Sequence, residues 1–453
     1  MKSSTAVRTL TGLLLLGLLS GCATTSLFSP YPGQARAWKA SADQGGGDFK
    51  ALQRAGDSRD GVLYLQELGR IEQLNGDHQA SRKAFADAVE DYQQADAAAL
   101  IQLSALTADT GALLLNDNVR PYVAPDYERI FTRTYQALNY WAADDVTGTA
   151  VELRAAASEQ TLAAQQHERD IARADQDADA RHIDTSRYQG YFAGLDAAAG
   201  GVKASFQNAW TFYLSALFWE AHGDYNDALV DYKKALEIHP QLDMIKADVQ
   251  RVSAALDGKV EPGRGMLAVL FEQGWVPPRR EFGLPIPTTE GIFTVAFPFY
   301  SAADQPRPYA LTLTAGQQQA QTQVLANVGG LAAKHLREQA LGMLVRQTLR
   351  AATKYSLQKK ANDDFGPLGA FLLQLFNLAS ERADLRSWLS LPAYAQAARM
   401  WLPPGQHTIV LSAPGGNATL TVPVVNQGLT VIHVIALPGR LITHVLPVQE
   451  GPL

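Results

Sequence analysis

Cysteine is nearly absent from this 453-residue chain: Cys22 stands alone, so one molecule cannot close a disulfide. Positive charge is not in excess either. Against 39 Lys and Arg stand 45 Asp and Glu, and the balance of -6 excludes a general basic surface for nucleic acid. Long hydrophobic runs are missing too: the apolar stretch near the start, Leu10 to Leu19, falls well short of the roughly 20 residues of a membrane-spanning helix. There is no Gly-x-Ser-x-Gly elbow, no phosphate-binding Gly-x4-Gly-Lys-Ser/Thr, no His-Glu-x-x-His helix and no Rossmann glycine pattern in a strand-turn-helix setting. Gly45-Gly46-Gly47 is followed by no Lys-Ser/Thr, and the adjacent carboxylates Asp144-Asp145 and Asp363-Asp364 read as turns. The nine histidines are scattered. Only His433 and His444 fall on candidate neighbouring strands, without further ligands, so no metal, no cofactor and no catalytic residue is expected.

What is present is a folded composition. With 47% hydrophobic and 19% charged residues the chain is expected to be ordered, and its length suggests two domains. Leu19-Ser20-Gly21-Cys22, behind Lys2, Arg8 and the apolar run, resembles the lipobox of bacterial lipoproteins. That resemblance implies a signal peptide over 1–21 and lipidation, as with palmitate, at Cys22. Acylation would consume the only thiol. Ala23, where many inner-membrane lipoproteins carry Asp, implies the periplasmic leaflet of the outer membrane. Residues 22–34, with Pro30 and Pro32, are expected to form a short tether that keeps the body near its membrane.

From 35 to 257 the chain is rich in Ala, Leu, Glu and Gln, with apolar residues at three- and four-residue spacing, which predicts helices. Gly76, Ser81, Phe85 and Ala88 recur at the same intervals as Gly223, Ala228, Tyr232 and Ala235, so an internal repeat is expected. The second unit, with Phe212, Trp219, Gly223, Ala228, Tyr232, Ala235 and Pro240, looks like a tetratricopeptide repeat. The first keeps Leu68-Gly69 and Gly76-Asp77. A looser unit is expected over Tyr127 to Ala157, with Ala150 after its turn, and the polar stretch Glu159 to Arg187 as a projecting or solvated helix. Arrays of this kind expose a groove between stacked helices that commonly binds a peptide or protein partner.

Gly258, Pro262, Gly263 and Gly265 break the helical pattern and mark a boundary. The remainder, 258–453, predicts an α+β fold: strands within 266–314 and 406–448 flanking helices within 316–402, the last four strands forming an antiparallel meander across turn sequences. Arg346, Arg350 and Lys354 would give the inserted helix a cationic face.

The segments Val269 to Pro277 and Glu381 to Pro392 resemble signature stretches of an uncharacterised family of bacterial tetratricopeptide-repeat outer-membrane lipoproteins. The resemblance implies a cell-envelope role near the activators of peptidoglycan synthases and supplies no catalytic residue. Glu272, Arg279, Arg280, Glu381, Asp384, Arg386 and Arg399, crowded near Trp275, Trp388 and Trp401, are candidates for either a ligand site or a junction locking two domains. The expected function is that of a lipid-anchored periplasmic scaffold or adaptor binding a protein partner. The alternatives are a regulator of the peptidoglycan synthesis machinery and an envelope carbohydrate-binding module or enzyme.

Overall fold

The computed structural model describes residues 30–46, 49–104, 120–181, 183–259, 263–288, 291–350, 353 and 382–449. The lipobox residues Leu19 to Cys22, together with Lys354, Asp363-Asp364 and Glu381, lie outside them. The first helix opens at Tyr31 behind Pro30, inside the stretch expected as tether, because Pro32 in its first turn needs no hydrogen-bond partner for its nitrogen.

Among the described residues ten α-helices precede the sheets: α1 Tyr31–Gln44, α2 Lys50–Ala55, α3 Gly61–Leu74, α4 His78–Ser104, α5 Asp126–Ala142, α6 Val146–Ala180, α7 Gln189–Ala199, α8 Ala209–Ala221, α9 Tyr225–Ile238 and α10 Asp243–Leu256. Six of them form three hairpins, α3–α4, α5–α6 and α8–α9, joined by the same turn. A left-handed residue, Gly76, Asp144 or Gly223, follows the first helix. The next N–H, of Asp77, Asp145 or Asp224, donates back to Glu72, Tyr140 or Trp219 at 2.9 Å in each case. Counting from these aspartates, Gly69, Ala137 and Ala216 stand eight residues before, and Ser81, Thr149 and Ala228 four after. Phe85, Leu153 and Tyr232 stand eight after, and Ala88, Ala156 and Ala235 eleven after. All twelve are buried. Small residues let two helices approach and large ones fill the gap; a Cβ on Gly69 would sit 2.7 Å from the Phe85 ring. The middle unit therefore runs through Thr149, one residue earlier than Ala150.

The first helices of the hairpins, α3, α5 and α8, lie side by side. Gln66 Nε2 donates to Thr132 Oγ1 at 3.0 Å, and the hydroxyls of Thr134 and Thr211 meet at 2.8 Å. Their shared inner face covers a five-stranded sheet. Its strands are β1 Gly265–Gln273, β6 Gln323–Asn327, β7 Tyr394–Leu402, β10 Leu429–Leu437 and β11 Arg440–Val445, in the order β11-β10-β1-β7-β6. Behind it stands a four-stranded sheet of β4 Thr312–Ala315, β5 Gln318–Gln321, β8 Gly405–Ala413 and β9 Gly416–Val424, in the order β5-β4-β8-β9. The hairpin of β2 Arg280–Thr288 and β3 Gly291–Phe299 stands apart from both. The central strand β1 is buried on both faces, which is why it reads as an unbroken apolar run. Met266, Ala268 and Leu270 join the core under the helices, while Leu267, Val269 and Phe271 join the core between the sheets.

Three expectations change. β8–β9 and β10–β11 are antiparallel hairpins, but they belong to different sheets, and β10 pairs with β1 in parallel, so the last four strands are no meander. The turn sequence Asn426-Gln427-Gly428 serves a change of sheet instead: Gln427 N–H donates to Arg264, and Gly428 C=O accepts from Met266. Among its described residues the region 316–402 holds three strands beside a helix, α11, over 328–350. Arg350 on that helix is buried and donates to Gln347, so the cationic face is not uniformly solvated.

Candidate functional site

The inner face of a helical array is where a partner segment would dock, and here it holds the chain's own C-terminal half. The segment 383–393 runs into the space between α3 and α5 before β7 begins. Its backbone is gripped by two buried carboxylates: Leu389 and Ser390 N–H donate to Glu67 Oε1 and Oε2 at 2.7 and 3.0 Å, and Trp388 N–H donates to Glu128 Oε1 at 3.0 Å. Tyr31 OH donates to Glu67, and Tyr122 and Tyr127 OH donate to Glu128, so each carboxylate is enclosed by donors. The Trp388 indole fills the space beside Phe85 and Tyr135, with centroids 5.9 Å from each, and its Nε1 donates to Ser390 Oγ. Burial pushes the Glu67 carboxyl up to about 7 in spite of these donors, and burial likewise raises Glu128.

Glu272 is carried to the same face by β1. It has no exposed surface, pairs with Arg70 of α3, accepts from Tyr135 OH at 2.9 Å, and lies 2.5 Å from His433 Nε2 of β10. Burial works to raise its carboxyl, but Arg70 and the hydrogen bonds from His433 and Tyr135 outweigh that and hold it below the ordinary value. His433 faces His444 across the β10–β11 pair, as the strand reading allowed, and His444 meets His78 of α4 edge to face at 5.5 Å. Among the described residues no group of His, Cys, Asp and Glu could hold a metal ion.

The six candidate charges among the described residues are thus dispersed. Glu272 belongs to the knot around Arg70. Arg386 joins Asp384 at 2.7 Å and Asp60 ahead of α3 at 2.6 Å. Arg279 donates to Tyr300 OH at 3.4 Å; burial opposes its charge, while Tyr300, Tyr127, Tyr122 and Asp384 around it favour the cation. Arg399 lies farther along β7, where its Nε is 2.5 Å from Asp248 of α10, out of line for a hydrogen bond, in a cluster with Arg251 and Glu220. Arg280 pairs with Asp304 at the surface. The three tryptophans are equally separate: Trp275 Nε1 donates to Asp43 of α1, and Arg251 lies over the Trp401 ring. Between Pro30, Glu281 and Arg386 lies a cavity of about 10 Å3, room for at most one water. Glu272, Arg386, Arg399 and Trp388 reach the helical half through Arg70, Asp60, Asp248 and Glu128, whereas Arg279 and Arg280 bond to Tyr300 and Asp304 within the C-terminal half.

Of the repeat residues, Gly69, Phe85, Ala88, Phe212, Trp219, Ala228, Tyr232 and Ala235 are buried, and Leu68 packs partly buried against the same core. Gly76 and Gly223 make the turns, and Pro240 follows α9. Composition did not single out Glu67, Arg70 or Glu128. The available signal was the row Gln66, Glu67, Arg70 and Gln73, which helical spacing places on one side of an otherwise apolar α3.

Compared with known proteins, the chain matches no family model, no curated protein and no solved structure.

Proposed function

We propose that the chain is a lipid-anchored scaffold of the periplasmic face of the outer membrane, built from three tetratricopeptide-like hairpins fused to a sheet domain. The observation that carries this reading is the capture of residues 388–390 by Glu67 and Glu128. The array already spends its inner face on its own chain, which leaves its outer helical surface for a protein partner. The lipobox-like Leu19 to Cys22 supports the anchor, and the equivalent turns at Gly76, Asp144 and Gly223 support the repeat reading. Palmitate labelling of cells producing the chain, with Cys22→Ser as control, tests the anchor; label that persists in the variant, or is absent from both, removes it. In-cell crosslinking from exposed positions of α2, α4 and α6 tests the adaptor role, which fails if no envelope protein is recovered.

A second reading, regulation of peptidoglycan synthesis, draws on reach. α6 has 35 residues, about 52 Å at 1.5 Å each, and between Ala164 and Asp177 it is mostly exposed. Unchanged cell-wall synthesis after deletion would remove it.

A further inference from the structure

The helix α3 carries two working stripes. Glu67 and Arg70 face the C-terminal half and Gln73 faces α5, whereas Leu65, Leu68 and Glu72 face a surface cleft of about 830 Å3 bounded by α2 and α4, within the roughly 300–1,000 Å3 usual for binding sites. Leu65, Leu68, Phe49 and Ala84 give it an apolar floor. Five carboxylates, of Asp57, Glu72, Asp87, Glu90 and Asp91, line it against the two lysines Lys50 and Lys83, leaving three negative charges in excess. Lys83 is already paired with Asp87 at 2.6 Å. Burial raises the Asp91 carboxyl, and Asp87, Glu90 and Asp57 raise it further, so these groups repel one another.

We propose that this cleft docks a cationic, amphipathic segment of a partner protein, with lysines or arginines meeting the acidic rim and small apolar side chains on the Leu65–Leu68 floor. Charge complementarity selects this occupant over the chain's own next segment: residues 105–119, which follow α4, contain Asp109 and Asp117 and no Lys or Arg, the wrong sign for the rim. The inference deepens the adaptor reading by naming its partner's chemistry, yet it is measurable without any lipid, so failure of palmitate labelling would leave it standing.

The test is fluorescence anisotropy of a short labelled peptide of Lys, Leu and Ala titrated with the full chain. A glutamate-for-lysine peptide and a glycine-for-leucine peptide serve as controls. Saturable binding is expected for the first peptide alone. The pair Asp87→Asn with Asp91→Asn should weaken it about tenfold, as should Leu68→Gln, while Asp175→Asn with Asp177→Asn on the exposed part of α6 leaves it unchanged. Absent binding, equal binding of the glycine peptide, or equal weakening by the α6 pair overturns the proposal. So does binding that appears only when residues 105–119 are replaced by a Gly-Ser linker, which would make that segment the occupant. Self-association of the chain lost in the Asp87/Asp91 pair would assign the cleft to a second copy and overturn it as well.

Discussion

Glu272→Gln changes one oxygen to an amide in the middle of the junction, and its cost follows from what it leaves behind. Arg70 is 1% exposed and Glu272 not at all, so the substitution strands a guanidinium in a dry interior with no carboxylate in reach. Breaking a buried pair from one side costs about 3–5 kcal/mol. That is a large part of the roughly 5–15 kcal/mol that holds a typical domain folded. Arg70→Met alone leaves the Glu272 charge facing His433 and Tyr135 and should cost a similar amount. Glu272→Met combined with Arg70→Met removes both charges together, so its loss should be well below the sum of the singles. A residual of about 1–3 kcal/mol remains for the Tyr135 hydroxyl and His433, which lose their acceptor. Urea denaturation followed by tryptophan fluorescence gives all three midpoints. A Glu272→Gln chain within about 1 kcal/mol of the parent, or a double variant as damaged as the two singles added, would refute the view that opposed buried charges lock helices to sheet.

Trp388→Ala should destabilise the chain by about 3–5 kcal/mol, since it empties a fully enclosed indole site, and near-ultraviolet circular dichroism should lose intensity from the rings around Phe85 and Tyr135. Gly69→Ala should cost about 1–3 kcal/mol by pressing a methyl on Phe85, and Phe85→Leu in the same chain should return part of it in thermal melts. Acid should weaken the fold through two histidines. Burial, then Arg279 and His167, lower His335 to about 3, and burial, then His433, His78 and Arg70, lower His444 to about 4. Both values lie below the ordinary 6.5, so their contribution is complete above pH 6.5 and is lost as pH falls toward 4 and then 3. For His444 the full swing is at most about 3 kcal/mol, reduced because the ring reaches solvent. His444→Phe should flatten the melting temperature against pH in that window, and an unchanged slope would remove this residue from the account.

Much of the helical half was legible because turns constrain sequence tightly. Gly76 and Gly223 sit where the backbone is left-handed, and their matching intervals exposed two hairpins directly. The third hairpin uses Asp144 in the same conformation; Asp144-Asp145 reads as a turn, but with no glycine to fix the register the small residue after it was placed at Ala150 instead of Thr149. In the C-terminal half the apolar run of β1 announced a strand, and its burial on both faces is the reason the run is unbroken. The choice of β10 as its parallel neighbour was not legible, because Asn426-Gln427-Gly428 has the composition of a hairpin turn whether the chain folds back or changes sheet. The junction was half legible. Glu272 and Trp388 were conspicuous in sequence, but their partners on α3 and α5 are polar residues that helical spacing alone assigns as readily to solvent as to a neighbouring layer.

Hydrogen exchange on the full chain, resolved to single amides, reads the filling of the inner face itself, because Trp388, Leu389 and Ser390 lie between β strands and owe their protection to Glu128 and Glu67. Their N–H groups should exchange as slowly as those of β1 and α3, and Glu67→Gln should speed Leu389 and Ser390 before any strand amide. Exchange at the rate of an open loop, with α3 and β1 still protected, would mean that the inner face of the array is free and that the helices and sheet are joined in some other way.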